Sequence, residues 1–238
     1  MPRTIIFALL LFNYCLLEAQ TTFDVGLSLY PNLSNRRLIA FGNLSEKEQN
    51  RLDSLEMNRP SYSIGLTAGW KGNKAGLLFG LNYMNTGYRT IKQSIPADDP
   101  QSEIASSRRF TYQNINLEVP VDLQFFHELS EGNSIFFMMG LAFSFNLQNK
   151  NQVILFSGEN RSRETLDVNQ DDFRLFNYAF QTGMGWEKTF SERFALVVQP
   201  NFRFWFKGVL EDDELNRSLY SFGLRIIAKY KSLPLREG

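Results

Sequence analysis

Beyond its first twenty residues this chain places apolar side chains at every second position in one segment after another, the spacing of a β-strand with two unlike faces. Eight segments follow the pattern. The first sets Phe23, Val25, Leu27 and Leu29 against Asp24, Gly26 and Ser28, and the second sets Tyr62, Ile64, Leu66, Ala68 and Trp70 against Ser61, Ser63, Gly65, Thr67 and Gly69. The third opposes Leu77, Phe79, Leu81 and Tyr83 to Leu78, Gly80 and Asn82. In the fourth, Ile115, Leu117, Val119, Val121, Leu123 and Phe125 alternate with Asn114, Asn116, Glu118, Asp122 and Gln124, and only Pro120 interrupts the polar series. The fifth runs Ile135, Phe137, Met139, Leu141, Phe143 and Phe145 against Gly140, Ala142, Ser144 and Asn146. The last three oppose Tyr178, Phe180, Met184 and Trp186 to Gln181, Gly183, Gly185 and Glu187; Phe194, Leu196, Val198, Phe202, Phe204 and Phe206 to Gln199, Asn201 and Arg203; and Tyr220, Phe222, Leu224, Ile226 and Tyr230 to Ser221, Gly223, Arg225 and Lys229.

Each segment is about ten to thirteen residues long, more than the five or six usual in soluble sheets and close to what a tilted strand needs to cross hydrocarbon. Short links at Gly72 to Lys74, Glu128 to Asn133 and Thr189 to Arg193 alternate with long ones at Pro31 to Arg59, Arg89 to Thr111, Leu147 to Asp172 and Lys207 to Arg217. Short periplasmic turns alternating with long outer loops are the habit of outer-membrane barrels. The bulky face is too voluminous for an eight-stranded interior, which side chains of modest size already fill, so the face of Gly, Ser, Asn, Gln and charges must be the lumen. Closure follows, because a sheet edge in lipid leaves amides unpaired. The expected fold is all-β: an eight-stranded antiparallel transmembrane β-barrel with long extracellular loops and short periplasmic turns. No later stretch approaches the twenty apolar residues of a spanning helix.

The first twenty residues read as a signal peptide: Arg3 precedes an apolar run from Ile5 to Leu17, and Ala19 or Gln20 offers the cleavage point. The expected organisation is therefore residues 1–20 signal peptide, 21–231 barrel and 232–238 a short tail. Cys15, the only cysteine, falls in the leader without the residues of a lipidation site before it, so the remainder has no disulfide or thiolate chemistry. Twenty-five basic residues balance 25 acidic ones, and no overall field points to nucleic acid. With both termini in the periplasm, Tyr30, Tyr62, Tyr88, Tyr112 and Tyr220 are expected at the outer rim and Trp70, Trp186 and Tyr230 at the inner rim, as aromatic girdles.

Several segments resemble the PorT-like outer-membrane β-barrel proteins of the Bacteroidetes. Gly80-Leu81-Asn82-Tyr83-Met84-Asn85-Thr86-Gly87-Tyr88 is similar to that family's third strand, Leu117-Glu118-Val119-Pro120-Val121 to its recurrent Leu-Glu-Ile-Pro-Leu strand, and Tyr220-Ser221-Phe222-Gly223-Leu224-Arg225 to its last strand. The leader ending in Ala19 and Gln20 is usual in that phylum. The resemblance implies an eight-stranded barrel in the outer membrane and, for most members, no defined activity; the founding member is linked to type IX secretion and gliding. The chain departs from the common barrel pattern where Ser232 to Gly238 follow Tyr230, so an assembly signal would be read internally. Pro120 and Pro200 each remove a ladder donor, and a local bulge is expected at each.

Candidate chemistry is sparse. His127, the single histidine, sits at the inner end of the fourth segment beside Glu128, the wrong end for a lipid-deacylating or proteolytic site, and is expected to be a solvated interfacial imidazole. Asp167, Asn169, Asp171 and Asp172 imitate the start of a calcium loop, but Asp172 replaces the glycine and Tyr178 the bidentate glutamate. Inside the lumen, Asp24, Glu118, Asp122 and Glu187 face Arg203, Arg225 and Lys229, and these are expected to form an ion-paired plug because a lone buried charge is costly. Ser45 to Leu52 has the composition of a short helical turn, and Asp53-Ser54-Leu55 resembles the three-residue O-glycosylation site of exported Bacteroidetes proteins. No catalytic, cofactor-binding or metal-binding residues are assigned, and no cofactor is expected. The leading expectation is a non-enzymatic structural or interaction barrel whose partners are outer-membrane lipid and, through the resemblance, other envelope or secretion-system proteins. A small-solute or ion pore is the alternative, with a lipid-modifying enzyme third.

Overall fold

The computed structural model describes residues 22–40, 46–211 and 215–232. The signal-peptide reading and most of the tail lie outside the described residues. In chain order the strands are β1 (Thr22–Ala40), β2 (Glu56–Met57), β3 (Arg59–Lys71), β4 (Ala75–Thr90), β5 (Gln93–Ser94), β6 (Ser107–Ser130), β7 (Asn133–Ser157), β8 (Asn160–Leu166), β9 (Phe176–Thr189), β10 (Phe194–Gly208) and β11 (Leu215–Lys231), with one helix, α1 (Glu46–Leu55), after β1.

Eight of these strands close on themselves. Antiparallel ladders run β1–β3, β3–β4, β4–β6, β6–β7, β7–β9, β9–β10 and β10–β11, and β11 returns to β1 from Asp24 opposite Lys231 to Ala40 opposite Leu215. Closure leaves no unpaired edge in the ring. The short links, Gly72 to Lys74, Glu131 to Gly132 and Phe190 to Arg193, share one end with Thr22 and Lys231; Gly132 takes φ +71°, which the two-residue hairpin requires. By the rule that short turns are periplasmic, this is the inner end.

Burial alternates with the pleat as expected. Leu27, Leu66, Met184 and Phe222 are each at least 60% exposed on the outside, whereas Asp24, Ser28, Asn82, Glu118, Gln181, Gln199 and Arg225 are buried within. Outward aromatics pack in pairs at the rims, Phe23 on Trp70 and Phe194 on Tyr230 at the inner end and Tyr62 on Tyr83 towards the outer end, while others such as Phe202 and Phe222 lie between them. Three girdle residues are corrected. Tyr30 and Tyr88 are buried in the lumen, and Tyr112 stacks on Tyr88 with ring centroids 4.6 Å apart. The cause is parity: Tyr30 stands two residues from Ser28, Tyr88 six from Asn82 and Tyr112 two from Asn114, all on the polar face.

Two further expectations change. The register passes both prolines without a shift, with Pro120 opposite Ala142 and Pro200 opposite Leu224; the bulges lie instead between Ile115 and Asn116, Glu128 and Ser130, and Phe204 and Gly208. Pro120 is accommodated because Gly80 lies beside it on β4, where a Cβ would come within 2.8 Å of the proline Cγ. The long outer loops are also largely ordered: β6 and β7 reach 24 and 25 residues, β7 and β8 form a hairpin beyond the barrel, and the charged run after β1 becomes the ten-residue α1.

The face assignment gives a direct test. Val119→Arg should reduce insertion by about 2–4 kcal/mol at mid-membrane, whereas Gln124→Ser on the lumen face should be tolerated, as read from urea-dependent folding into lipid vesicles.

Candidate functional site

The polar assembly enclosed by the ring is the lumen, and strand alternation alone delivers its side chains. β6 contributes Glu118 and Asp122, β9 Gln181 and Glu187, β10 Arg203 and β11 Arg225 and Lys229. Glu118 pairs with Arg203 and accepts a 2.9 Å hydrogen bond from Ser144 Oγ. Arg203 also donates through Nε at 3.0 Å and Nη2 at 2.6 Å to Gln181 Oε1, while its guanidinium lies over the rings of Tyr30 and Trp205. The Gln181 amide nitrogen donates in turn to Asp122, which takes Arg225 Nη1 at 2.6 Å. Gln181 thus joins two ion pairs, and its amide orientation is fixed by a guanidinium on one side and a carboxylate on the other. Gly140 lies opposite Asp122 in the ladder, where any Cβ would collide with the carboxylate.

At the inner mouth Glu187 gathers three ammonium groups, Lys71 at 2.7 Å, Lys229 at 3.0 Å and Lys231 at 3.1 Å, and Lys229 also reaches Asp24 at 3.5 Å. All seven lumen charges read from the sequence are therefore buried and ion-paired. Lys71 and Lys231 join them, although both were legible: Lys71 continues the row of Thr67 and Gly69, and Lys231 that of Lys229.

Apolar layers separate the polar ones. Leu78, Phe136, Met138, Val197 and Ile227, with Phe126, pack between the Glu187 cluster and the Asp122–Arg225 pair. Outward of Glu118, Met84, Tyr88, Ala142, Ala179, Trp205 and Leu219 form a second layer, tied in by a 3.3 Å hydrogen bond from Trp205 Nε1 to Ser144 Oγ. Phe136, Met138 and Trp205 escaped the sequence reading, which treated the inward face as small and polar.

At the outer end, α1 and an amide cluster are fastened to the barrel. Arg36, buried at the top of β1, pairs with Asp53 at 2.8 Å and with Glu56, and donates to the Leu52 carbonyl at 3.1 Å, fastening α1 to the barrel. Asn114, Asn116, Asn146 and Asn149 form an amide cluster with links of 2.6, 3.0 and 2.7 Å, and Gln170 Nε2 donates to the Asn149 carbonyl at 3.0 Å. In the β5–β6 connection the Gln101 N–H, and then Arg108, hold the Asp99 carboxyl below its ordinary range.

The remaining candidates stay apart. His127 is exposed at the inner end of β6 opposite Ile135. In the acidic segment, Asn169 caps a short 3-10 turn, accepting from the Asp171 N–H at 3.3 Å and donating to Asp172 at 2.9 Å. Ser54 is exposed on α1 and donates to the Arg51 carbonyl. Among the described residues no group of three or more His, Cys, Asp or Glu is placed to hold a metal.

A closed antiparallel ring, apolar outside, with an ion-paired interior, defines a small integral outer-membrane β-barrel. A family model for the outer membrane protein beta-barrel domain matches residues 19–208, and the chain belongs to that family; it is a protein of the outer membrane. No curated protein matches the chain. Among solved structures it is similar to Neisserial surface protein A (10% identity, 88% of this chain and 97% of that one, TM-score 0.45). It is also similar to OprG from Pseudomonas aeruginosa (10%, 89% and 95%, 0.46) and to a major outer membrane protein from Thermus thermophilus (13%, 89% and 99%, 0.45).

Glu118→Ala leaves Arg203 buried without its carboxylate and should destabilise the barrel by about 3–5 kcal/mol. Converting Arg203 to Met as well should recover a large part of that loss, which equilibrium unfolding of the single and double variants in vesicles would measure.

Proposed function

We propose that this barrel conducts no solute and catalyses no reaction, and that it acts as a structural and docking component of the outer membrane through its outer extensions. The observation that carries the reading is the filling of the lumen: two apolar layers alternate with the Glu118–Arg203, Asp122–Arg225 and Glu187–lysine groups, and Arg36 ties α1 to the outer end of β1. An open aqueous path would require the removal of bulky side chains such as Trp205 and Phe136, both about 2% exposed, and not merely a rotamer change at the rim. In support of a docking role, β6, β7 and β8 extend an ordered sheet beyond the barrel, a rigid platform that needs little ordering when a partner arrives. The resemblance of the Gly80 to Tyr88 and Leu117 to Val121 segments to PorT-like proteins makes an accessory of type IX secretion or gliding the specific form of this reading.

Planar-bilayer recording should give no stable unitary current from the full chain. Steady conductance steps from the wild-type protein would overturn the closed-lumen reading in favour of a pore. Crosslinking in native membranes through cysteines placed on the β7–β8 hairpin should yield a discrete protein adduct; its absence under conditions that trap other barrels would remove the docking role.

A further inference from the structure

The sheet that β4, β6, β7 and β8 raise above the barrel has two unlike faces. On one, Phe110, Val153 and Leu155 pack with Ile95 and Ala105 into a small core beneath the β5–β6 connection. The other carries Arg89, Arg109, Lys150, Arg161 and Arg163. The ladder places them together: Arg89 opposite Thr111, Gln113 opposite Lys150, Arg109 opposite Ile154, Ile154 opposite Arg163 and Phe156 opposite Arg161. Directly paired residues share a face, so these five cations project the same way. No carboxylate occupies that face on the same strands, since Glu164 is opposite Val153 on the other side.

The cations are crowded. Lys92 Nζ stands 4.6 Å from the centroid of the Phe156 ring, with the guanidinium carbons of Arg109 and Arg161 each 5.7 Å from it. Burial, and then the charges of Arg89 and Arg161, push Arg109 below the usual guanidinium range. Among the described residues none of Lys92, Arg109, Arg161 or Arg163 has an ion-pair partner, whereas Arg108 on the opposite face is matched by Asp99 at 2.6 Å. Uncompensated like charges gathered on one ring repel one another, and an anion relieves the repulsion.

Position selects the anion. On β6, Arg109, Thr111 and Gln113 continue the row of Ile115, which is itself buried, and of Leu117, Val119 and Leu123 in the lipid-facing wall. Arg109 stands six residues beyond Ile115, about 20 Å along an extended strand. The patch is thus a direct upward continuation of the membrane-facing surface, at the height of the head groups and sugars of the outer leaflet. Guanidinium groups present forked donors that match phosphate oxygens.

We infer that the face formed by Arg89, Lys92, Arg109, Lys150, Arg161 and Arg163 binds the phosphate-bearing saccharide head group of an outer-leaflet glycolipid. The lipid chains lie along the wall below while the cations hold the head group, so the extension is seated against the membrane on this side. The opposite face and the hairpin tip remain for a protein partner.

The test uses the full barrel in detergent micelles with three probes: a bisphosphorylated lipid A, the same lipid dephosphorylated, and inorganic phosphate. The phosphorylated lipid should bind at least tenfold more tightly than the dephosphorylated one, with affinity falling as salt is raised. In the triple variant Arg109→Gln/Arg161→Gln/Arg163→Gln that preference should vanish, while Arg37→Gln, an exposed cation outside the patch, should keep it. Far-ultraviolet circular dichroism of each variant confirms that the ring has formed. Equal binding of the two lipids, or a preference that survives the triple substitution in folded protein, overturns the inference. Binding of inorganic phosphate as tight as that of the lipid also overturns it, in favour of a soluble anion.

Discussion

Everything in this molecule depends on the pairing of backbone amides where water cannot reach them. In hydrocarbon each unpaired N–H or C=O costs several kcal/mol, so a sheet there must close. The β1–β11 ladder performs the closure, joining the first described residues to the last over fifteen residue pairs, with Ser232 N–H adding a 2.7 Å bond to the Phe23 carbonyl. Once the ring is closed, alternation within each strand leaves no freedom about which side chains meet lipid. A slip of one residue in any ladder would turn Leu, Phe and Val inward and Asp, Glu and Arg outward, so register is enforced by the solvent on one side and by charge pairing on the other.

The lumen obeys a second constraint, that of volume. An eight-stranded ring encloses only enough space for its own side chains. Arg203, Arg225, Trp205, Met138 and Phe136 are large, and glycines on facing strands balance them. Gly140 makes room for Asp122, and Gly185 for the Phe136 ring. The glycines that looked from the sequence like a merely small face are therefore the complement of particular large neighbours. Charges in that space are tolerated because each has a partner at hand and because Gln181 links the two central pairs. Pairing of this kind contributes more to fixing one arrangement of the strands than to net stability, since two well-packed apolar residues would often serve equally well.

These constraints also explain what the sequence made legible. Period-two alternation is a local property, so the eight spanning strands, the short inner turns and the seven lumen charges could be read directly from residues such as Glu118, Asp122 and Arg203. Parity would have placed Tyr30, Tyr88 and Tyr112 inside as well; reading them as rim residues gave weight to their chemistry over their position. Phe136, Met138 and Trp205 are different. They interrupt a polar face, and only the three-dimensional stacking of Leu78, Val197 and Ile227 around the first two, and of Met84, Tyr88 and Leu219 around Trp205, shows that each interruption is a layer. The prolines are illegible for a similar reason. Whether Pro120 forces a bulge depends on Gly80 across the ladder, a long-range fact that no local pattern contains. Which ions pair with which is likewise set by the closed ring: Arg225 and Asp122 lie 103 residues apart in the chain.

The strands overshoot the membrane at one end only. At the inner end the ladders stop within three residues of the rim aromatics Trp70, Trp186 and Tyr230, whereas β6 and β7 continue far past the outer aromatics into the β8 hairpin. In water the alternation changes its meaning, because neither face is obliged to be apolar. The chain uses that freedom asymmetrically. One face is covered by the β5–β6 connection, with Val153, Leu155 and Phe110 as its core, and the other is given over to arginine and lysine. An edge or face left merely polar would have satisfied solubility. Concentrating cations around Phe156 exceeds that requirement and works against folding through their mutual repulsion. A feature that opposes folding and, among the described residues, leaves Lys92, Arg109, Arg161 and Arg163 without an ion-pair partner invites an anion from outside the polypeptide.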